Sequence, residues 1–249
     1  MYLSILGAHA LPHSWTSSVV IPIAKPGKDP TKPSSYRPIA LTSVACKIFE
    51  RMVNLRLVYH LESRSLISSC QFGFRKNTST LAPLLKLATY IQDSFIQRKH
   101  VIGVFFDLEK AYDTTWRKGI LVELFNLGLR GSLPSFIKSF LFDRTLKVRV
   151  GTHHSASRQQ EEGVPQGSVL SVMLFLIYIN SIVDFIHRSE PSIMCSLYAD
   201  DLAIYFSSPD PVYAAHKIQR AVDLACDWAD LHGYRFPSAI SYNRRCYIN

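Results

Sequence analysis

Ile193-Met194-Cys195-Ser196-Leu197-Tyr198-Ala199-Asp200-Asp201-Leu202-Ala203-Ile204-Tyr205-Phe206 is an apolar run with two adjacent carboxylates at its centre. Neighbouring residues of a strand point to opposite faces, so a plain strand does not explain the pair. A tight turn at the tip of a hairpin does, because it presents both acids at one edge. An unpaired buried carboxylate is costly, or its pKa shifts until it is neutral. A bound divalent cation removes that cost. The stretch therefore reads as a β-hairpin that carries half of a metal site.

The other half should be an acid at the end of a second strand. Val101 to Leu108 (VIGVFFDL) reads as a buried strand, and Asp107 closes it. A lone acid there is ordinarily a turn former or a helix cap. Set beside Asp200-Asp201 it reads as a third ligand. Three carboxylates from adjacent strands suit two Mg²⁺ or Mn²⁺ ions, with substrate phosphates completing the shells. Two such ions about 4 Å apart clamp the attacking and leaving oxygens of an in-line phosphoryl transfer. That reaction needs positioning and charge neutralisation more than reacting protein groups.

Composition is consistent with such chemistry without proving it. The 249 residues allow one large domain or two modest ones. With 47% hydrophobic and 19% charged residues, wholesale disorder is excluded. A net charge of +9 favours a polyanionic partner, nucleic acid or an anionic membrane, although a merely basic protein fits equally well. The 5 cysteines are scattered, and with the 9 histidines they form no zinc pattern. They read as buried thiols of a reducing compartment. The uncharged stretch Gly163 to Val183 is long enough for a membrane span. Its Pro, Gln, Ser and Asn residues favour a buried helix instead, and no membrane partner is expected.

Around these landmarks the periodicity predicts a short strand over Val19 to Ile23 and a basic loop from Lys25 to Pro30. Helices are expected over Ile39 to Leu66, with Val44, Ile48, Met52, Leu55 and Tyr59 on one face, and over Leu81 to Gln97. Further helices fall at about Lys118 to Leu127 and Leu133 to Phe142, followed by an alternating strand, Leu146 to Val150. A buried helix follows Gly167. Pro211 to His232 is amphipathic, with Ile218, Val222, Ala225 and Trp228 inward. The fold class is α+β, with an antiparallel sheet backed by helices.

Three ordered segments then carry a resemblance. They are Phe106-Asp107-Leu108-Glu109-Lys110-Ala111-Tyr112-Asp113, Gly163-Val164-Pro165-Gln166-Gly167-Ser168 and Tyr198-Ala199-Asp200-Asp201. In order and separation they resemble motifs A, B and C of reverse transcriptases. Val20 to Lys28, Ser35-Tyr36-Arg37-Pro38-Ile39 and Gln71-Phe72-Gly73-Phe74-Arg75 are similar to the fingers of the non-LTR retrotransposon branch, near the jockey-like elements. The similarity runs from about Trp15 to Phe236.

The resemblance implies a right-hand polymerase: fingers at 1–100, and a palm at 101–249 with a fingers-like insertion around 131–165. It implies Asp107 and Asp200 as principal metal and catalytic ligands, with Asp201 assisting. Tyr112 becomes the steric gate, whose ring clashes with a ribose 2′-hydroxyl. Gln166 and Gly167 lie beside the incoming nucleotide and template. Arg37 reaches the triphosphate, with Lys25 a weaker candidate. Arg75 either supports the fingers or touches the template backbone. Asp113 reads as structural, capping the turn into Trp116. The implied activity is RNA-directed DNA polymerisation, two-metal nucleotidyl transfer from dNTP to a primer 3′-hydroxyl. The partners are then an RNA template, a DNA primer and dNTPs; such elements work at chromosomal DNA, which points to the nucleus, but no clear import signal is visible in the sequence and localisation stays open.

The resemblance breaks after Phe236. A Ser and then a Lys are expected there in motif D, but the chain continues Pro237-Ser238-Ala239-Ile240-Ser241-Tyr242-Asn243-Arg244-Arg245-Cys246. Arg cannot readily replace that Lys as a proton donor. A frameshift or missed splice junction near Pro237 is the hypothesis, with the thumb missing and the C-terminus truncated. This opens a competing reading: a catalytically silent, nucleic-acid-binding remnant. A third, an RNA-dependent RNA polymerase, is opposed by Tyr112 at the gate. Sequencing the genomic locus tests the frameshift: a downstream frame that resumes motif D supports it, and a clean stop without one removes it.

Overall fold

The computed structural model describes residues 11–236; the altered motif D after Phe236 lies outside the described residues. In chain order the elements begin α1 (His13–Thr16), β1 (Ser17–Ala24), β2 (Tyr36–Leu41), α2 (Val44–Ser63), α3 (Leu81–Ile96) and β3 (His100–Asp107). Then come α4 (Ala111–Thr114), α5 (Arg117–Asn126), α6 (Ser132–Leu141), β4 (Thr145–Val150), β5 (His153–His154) and β6 (Arg158–Gln159). The last are α7 (Val169–Ile179), α8 (Ser181–Ser189), β7 (Met194–Tyr198), β8 (Asp201–Ser208) and α9 (Pro211–His232). The architecture is α+β, as the sequence pattern predicts.

The chain folds as two compact units, each built from two stretches. The first takes residues up to 66 and 112–177, the second 67–111 and from 178 onward. Each unit is therefore discontinuous in sequence. A physical reason lies in Gln71, which bridges to Leu197 beside β7 and so joins its segment to the second unit.

In the first unit a five-stranded sheet runs β2-β1-β4-β5, with β6 also on β4. β1 and β2 are antiparallel, placing Ile23 opposite Arg37. β1 and β4 are parallel, a pairing between distant stretches that no local pattern reveals. Helix α2 corrects the sequence reading. Its buried face is Cys46, Phe49, Glu50, Val53, Leu57 and Leu61. The expected face is exposed, from Val44 at 74% to Tyr59 at 75%. Both faces carry apolar residues at i, i+3 and i+4 spacing, so periodicity cannot choose between them.

Glu50 decides which way α2 turns. Its carboxylate is fully buried and accepts from Ser168 Oγ, from Val169 N at 2.7 Å and from Leu170 N at 3.1 Å. Those donors open α7, whose first-turn N–H groups have no intrahelical acceptor. An anion at a helix N-terminus also meets the positive end of its dipole. The long apolar stretch is thereby explained: from Leu170 to Ile179 nearly every side chain is buried.

In the second unit β3-β8-β7 form an antiparallel sheet. α9 packs on β3 and β8. Its inward residues Ile218, Val222, Ala225 and Trp228 are all buried, as expected. β3 is half-buried rather than buried: Phe106 is covered while Phe105 is exposed. After α9, Gly233 takes φ +74° and ends the helix. The chain then returns to β3, with the Phe236 ring 4.8 Å from Phe106 and Glu109 N donating to Arg235 O at 3.0 Å.

Glu50→Ala should remove the acceptor for the first turn of α7 and lower unfolding free energy by about 3 kcal/mol, measured by urea denaturation. Glu50→Gln, which keeps one acceptor oxygen, should lose less. Equal stability of Glu50→Ala and wild type would contradict the role given to this carboxylate.

Candidate functional site

The apolar hairpin is β7 and β8. Tyr198 and Asp201 are register partners, so Ala199-Asp200 is its two-residue loop. Two-residue hairpin loops require left-handed backbone at a central position. Ala199 supplies it at φ +58°, without a glycine. Asp107 is the register partner of Asp201 across β3 and β8. The three acids that the sequence singled out therefore meet at one end of one sheet.

Their electrostatics are unfavourable as they stand. Burial is the main cause that raises the Asp200 carboxyl above its ordinary value, opposed by its own backbone N–H, with the Asp107 charge adding to the rise. Asp201 is raised by burial first, then by Asp200 and Asp107. It lines a half-open apolar groove of about 290 Å³ with Leu84, Leu87, Phe105 and Tyr198, which supplies a poorly solvating flank. Ion pairs form elsewhere, for instance at Asp29 and Glu190. No group of three or more His, Cys, Asp or Glu among the described residues closes into a ready-made metal cage. Mg²⁺ does not need one, since it keeps waters and takes substrate phosphates beside one or two carboxylates. An oxygen-only donor set that lacks a cation of its own fits a hard divalent ion.

The expected nucleotide-binding residues Lys25, Arg37, Tyr112, Gln166 and Gly167 all fall in the first unit. Tyr112 is half-buried and stacks on Phe175, ring centroids 4.9 Å apart. Its carbonyl accepts from Val164 N at 2.7 Å. Gln166 donates through Nε2 to Asp113 Oδ1 at 2.9 Å. Asp113 thus orients Gln166, a role the sequence reading missed. The N-cap position of α5 is Trp116, without a side-chain cap. Ala40 N donates to Gln166 O at 2.6 Å. At Gly167, φ is +121° and a Cβ would stand 2.5 Å from Ala40 O, so only glycine fits this approach.

Arg117 was also missed, and it anchors the same loop. Its guanidinium donates to Gly163 O at 2.7 Å, Gln160 O at 2.6 Å and Glu162 O at 2.9 Å. Burial, with Arg144 nearby, pulls its pKa down to about 10, and Glu162 opposes the shift. It stays protonated at neutral pH. The only sequence signal was a cation beside an apolar helix, which does not distinguish it from a solvated charge.

Arg37 is exposed on β2. Lys25 donates to Ser34 O at 3.2 Å and so holds its own loop. Arg75, in the second unit, donates to Ser68 O at 2.9 Å and Gln71 O at 3.1 Å. Cys46, Cys70, Cys195 and Cys226 are buried thiols. Burial, the first cause for both, pushes Cys46 and Cys195 up to about 12.

The telomerase of Candida tropicalis, solved with a fragment of telomeric RNA, superposes with TM-score 0.66 at 14% identity, over 92% of this chain and 41% of that one. The Candida albicans telomerase gives TM-score 0.66 at 15% identity, over 96% of this chain and 44% of that one. The family model "Reverse transcriptase (RNA-dependent DNA polymerase)" matches residues 23–239, and the chain belongs to that family. Its enzymes depend on divalent metal ions. Among curated relatives, a probable RNA-directed DNA polymerase from transposon BS of Drosophila melanogaster is 32% identical over 92% of this chain. The polymerase of the mobile element jockey from the same fly is 30% identical over 92% of this chain. The chain spans 25% of the length of each of these two.

An acid whose folded pKa is raised binds its proton more tightly in the fold than in the unfolded chain. Metal-free stability should therefore fall as pH rises from about 3.8, the ordinary aspartate value, through the raised values of Asp200 and Asp201. Millimolar Mg²⁺ should raise the melting temperature above that window. Asp201→Asn should raise the metal-free melting temperature and shrink the Mg²⁺ effect. A Mg²⁺ effect undiminished by Asn at 107, 200 and 201 would place the ion elsewhere.

Proposed function

We propose that the chain is the fingers and palm portion of an RNA-directed DNA polymerase from a non-LTR retrotransposon of the jockey-like branch. The observation that carries the proposal is the meeting of Asp107, Asp200 and Asp201 at the paired ends of β3 and β8, in a chain of the reverse transcriptase family. In this reading residues 1–100 supply the first part of the fingers and 101–249 the palm, with a fingers-like insertion around 131–165. Asp107 and Asp200, assisted by Asp201, hold two Mg²⁺ or Mn²⁺ ions. When bound, the ions neutralise phosphate charge and lower the pKa of a coordinated hydroxyl.

The remaining residues position the substrates. Tyr112, fixed by its stack on Phe175, closes the space beneath the sugar to a 2′-hydroxyl. Gln166, oriented by Asp113, and Gly167 face the incoming nucleotide and template. Exposed Arg37 meets the triphosphate, where a guanidinium donates in a fixed fork. Lys25 contributes charge at the edge of that site. The partners are an RNA template, a DNA primer and dNTPs.

Primer extension on an RNA template with Mg²⁺ tests the activity. Wild-type chain should extend and Asp200→Asn should lose at least a hundredfold, because the ligand itself is removed. Equal incorporation by both would remove the site assignment. Salt-dependent RNA binding without extension by wild type would select the silent remnant. Tyr112→Ala should lower discrimination against ribonucleotides about tenfold, a change of about 1.4 kcal/mol. Unchanged discrimination would remove Tyr112 from the gate.

A further inference from the structure

The loop that carries Asp200 depends on a residue in another segment. Ala199 sits at φ +58°, a backbone conformation that L residues adopt only at a cost. Something must hold it there. Beside it runs Gln71-Phe72-Gly73. Phe72 N donates to Leu197 O at 2.8 Å, and Leu197 N donates to Cys70 O at 2.8 Å. This short parallel seam extends the edge of β7.

Gln71 is fully buried at the end of that seam. Its Oε1 accepts from Gly73 N at 2.8 Å and from Ala199 N at 3.3 Å. Its Nε2 has no partner among the described residues. A half-satisfied buried amide is costly, and an apolar side chain of the same size would avoid the cost. The amide oxygen therefore has work that a hydrocarbon cannot do. Gly73 leaves room for the turn: a Cβ there would collide with Ala199 N. The segment is itself braced, by Arg75 on Ser68 O and Gln71 O and by Thr78 Oγ1 on Phe72 O at 2.6 Å.

We propose that Gln71 is a positioning residue: its amide oxygen holds Ala199 in the left-handed conformation and so sets the direction of the Asp200 carboxylate toward a divalent cation. The proposal rests on the metal-site reading of Asp107, Asp200 and Asp201. Gln71 touches neither cation nor substrate. Its effect passes through the backbone of Ala199.

Mn²⁺ titration followed by the electron paramagnetic resonance of the free ion tests this without any turnover. Gln71→Leu keeps the volume and loses the acceptor. It should weaken Mn²⁺ binding about tenfold while a cooperative melt is retained. Adding Ala199→Gly should recover affinity to within about threefold of wild type, because glycine takes the positive φ unaided. Packing alone predicts no such rescue. If Gln71→Leu does not melt cooperatively, Gln71→Asn, which keeps the amide but retracts its oxygen, carries the same two expectations. Wild-type affinity in the folded variants, or a loss that Ala199→Gly does not recover, would overturn the proposal. Equal Mn²⁺ binding by wild type and Asp200→Asn would overturn the metal reading itself, and this proposal with it.

Discussion

Three carboxylates of one sign meet where β3 and β8 begin their shared ladder, and no ion pair among the described residues neutralises them. A fold seeking only stability would not retain this arrangement. Burial and mutual charge push Asp200 and Asp201 toward the protonated form. Three neighbouring features support the segment that bears them. The two-residue loop carries Asp200 at the hairpin tip, the Gln71 seam borders the loop, and α9 backs the sheet. Repulsion of this kind stores affinity for a cation, because binding relieves it.

The first unit solves a different problem with buried charges of its own. Glu50 and Arg117 are long ionisable side chains whose bonds go largely to backbone. Glu50 collects the donors that open α7, and Arg117 collects the carbonyls of residues 160, 162 and 163. Together they fix both sides of Pro165-Gln166-Gly167. A loop anchored at each flank by charge-assisted hydrogen bonds loses little entropy when it meets a ligand. The backbone of Gly167 can then approach Ala40 closely, which no side chain at that position would permit.

Much of this was legible in the amino-acid sequence, and the exceptions share a cause. The hairpin, the strand ending in Asp107 and helix α9 were readable because each has one dominant local signal. The buried face of α2 was not, because apolar residues occupy both faces and a charged residue, Glu50, decides the outcome. The parallel pairing of β1 with β4 joins residues more than a hundred positions apart. Gln71, Asp113 and Arg117 act through hydrogen bonds to distant backbone or side chains, which leave no periodicity. The resemblance pointed to Tyr112, Gln166 and Gly167, while the contacts that orient them are visible only in the fold.

The central claim is that the three acids form a divalent-cation site. A Mn²⁺-soaked crystal of the chain with primer–template, read by anomalous scattering, tests it most directly. Anomalous density is expected within coordination distance of Asp107 and Asp200. Density confined to other residues, or none at a Mn²⁺ concentration that saturates binding in solution, would contradict it.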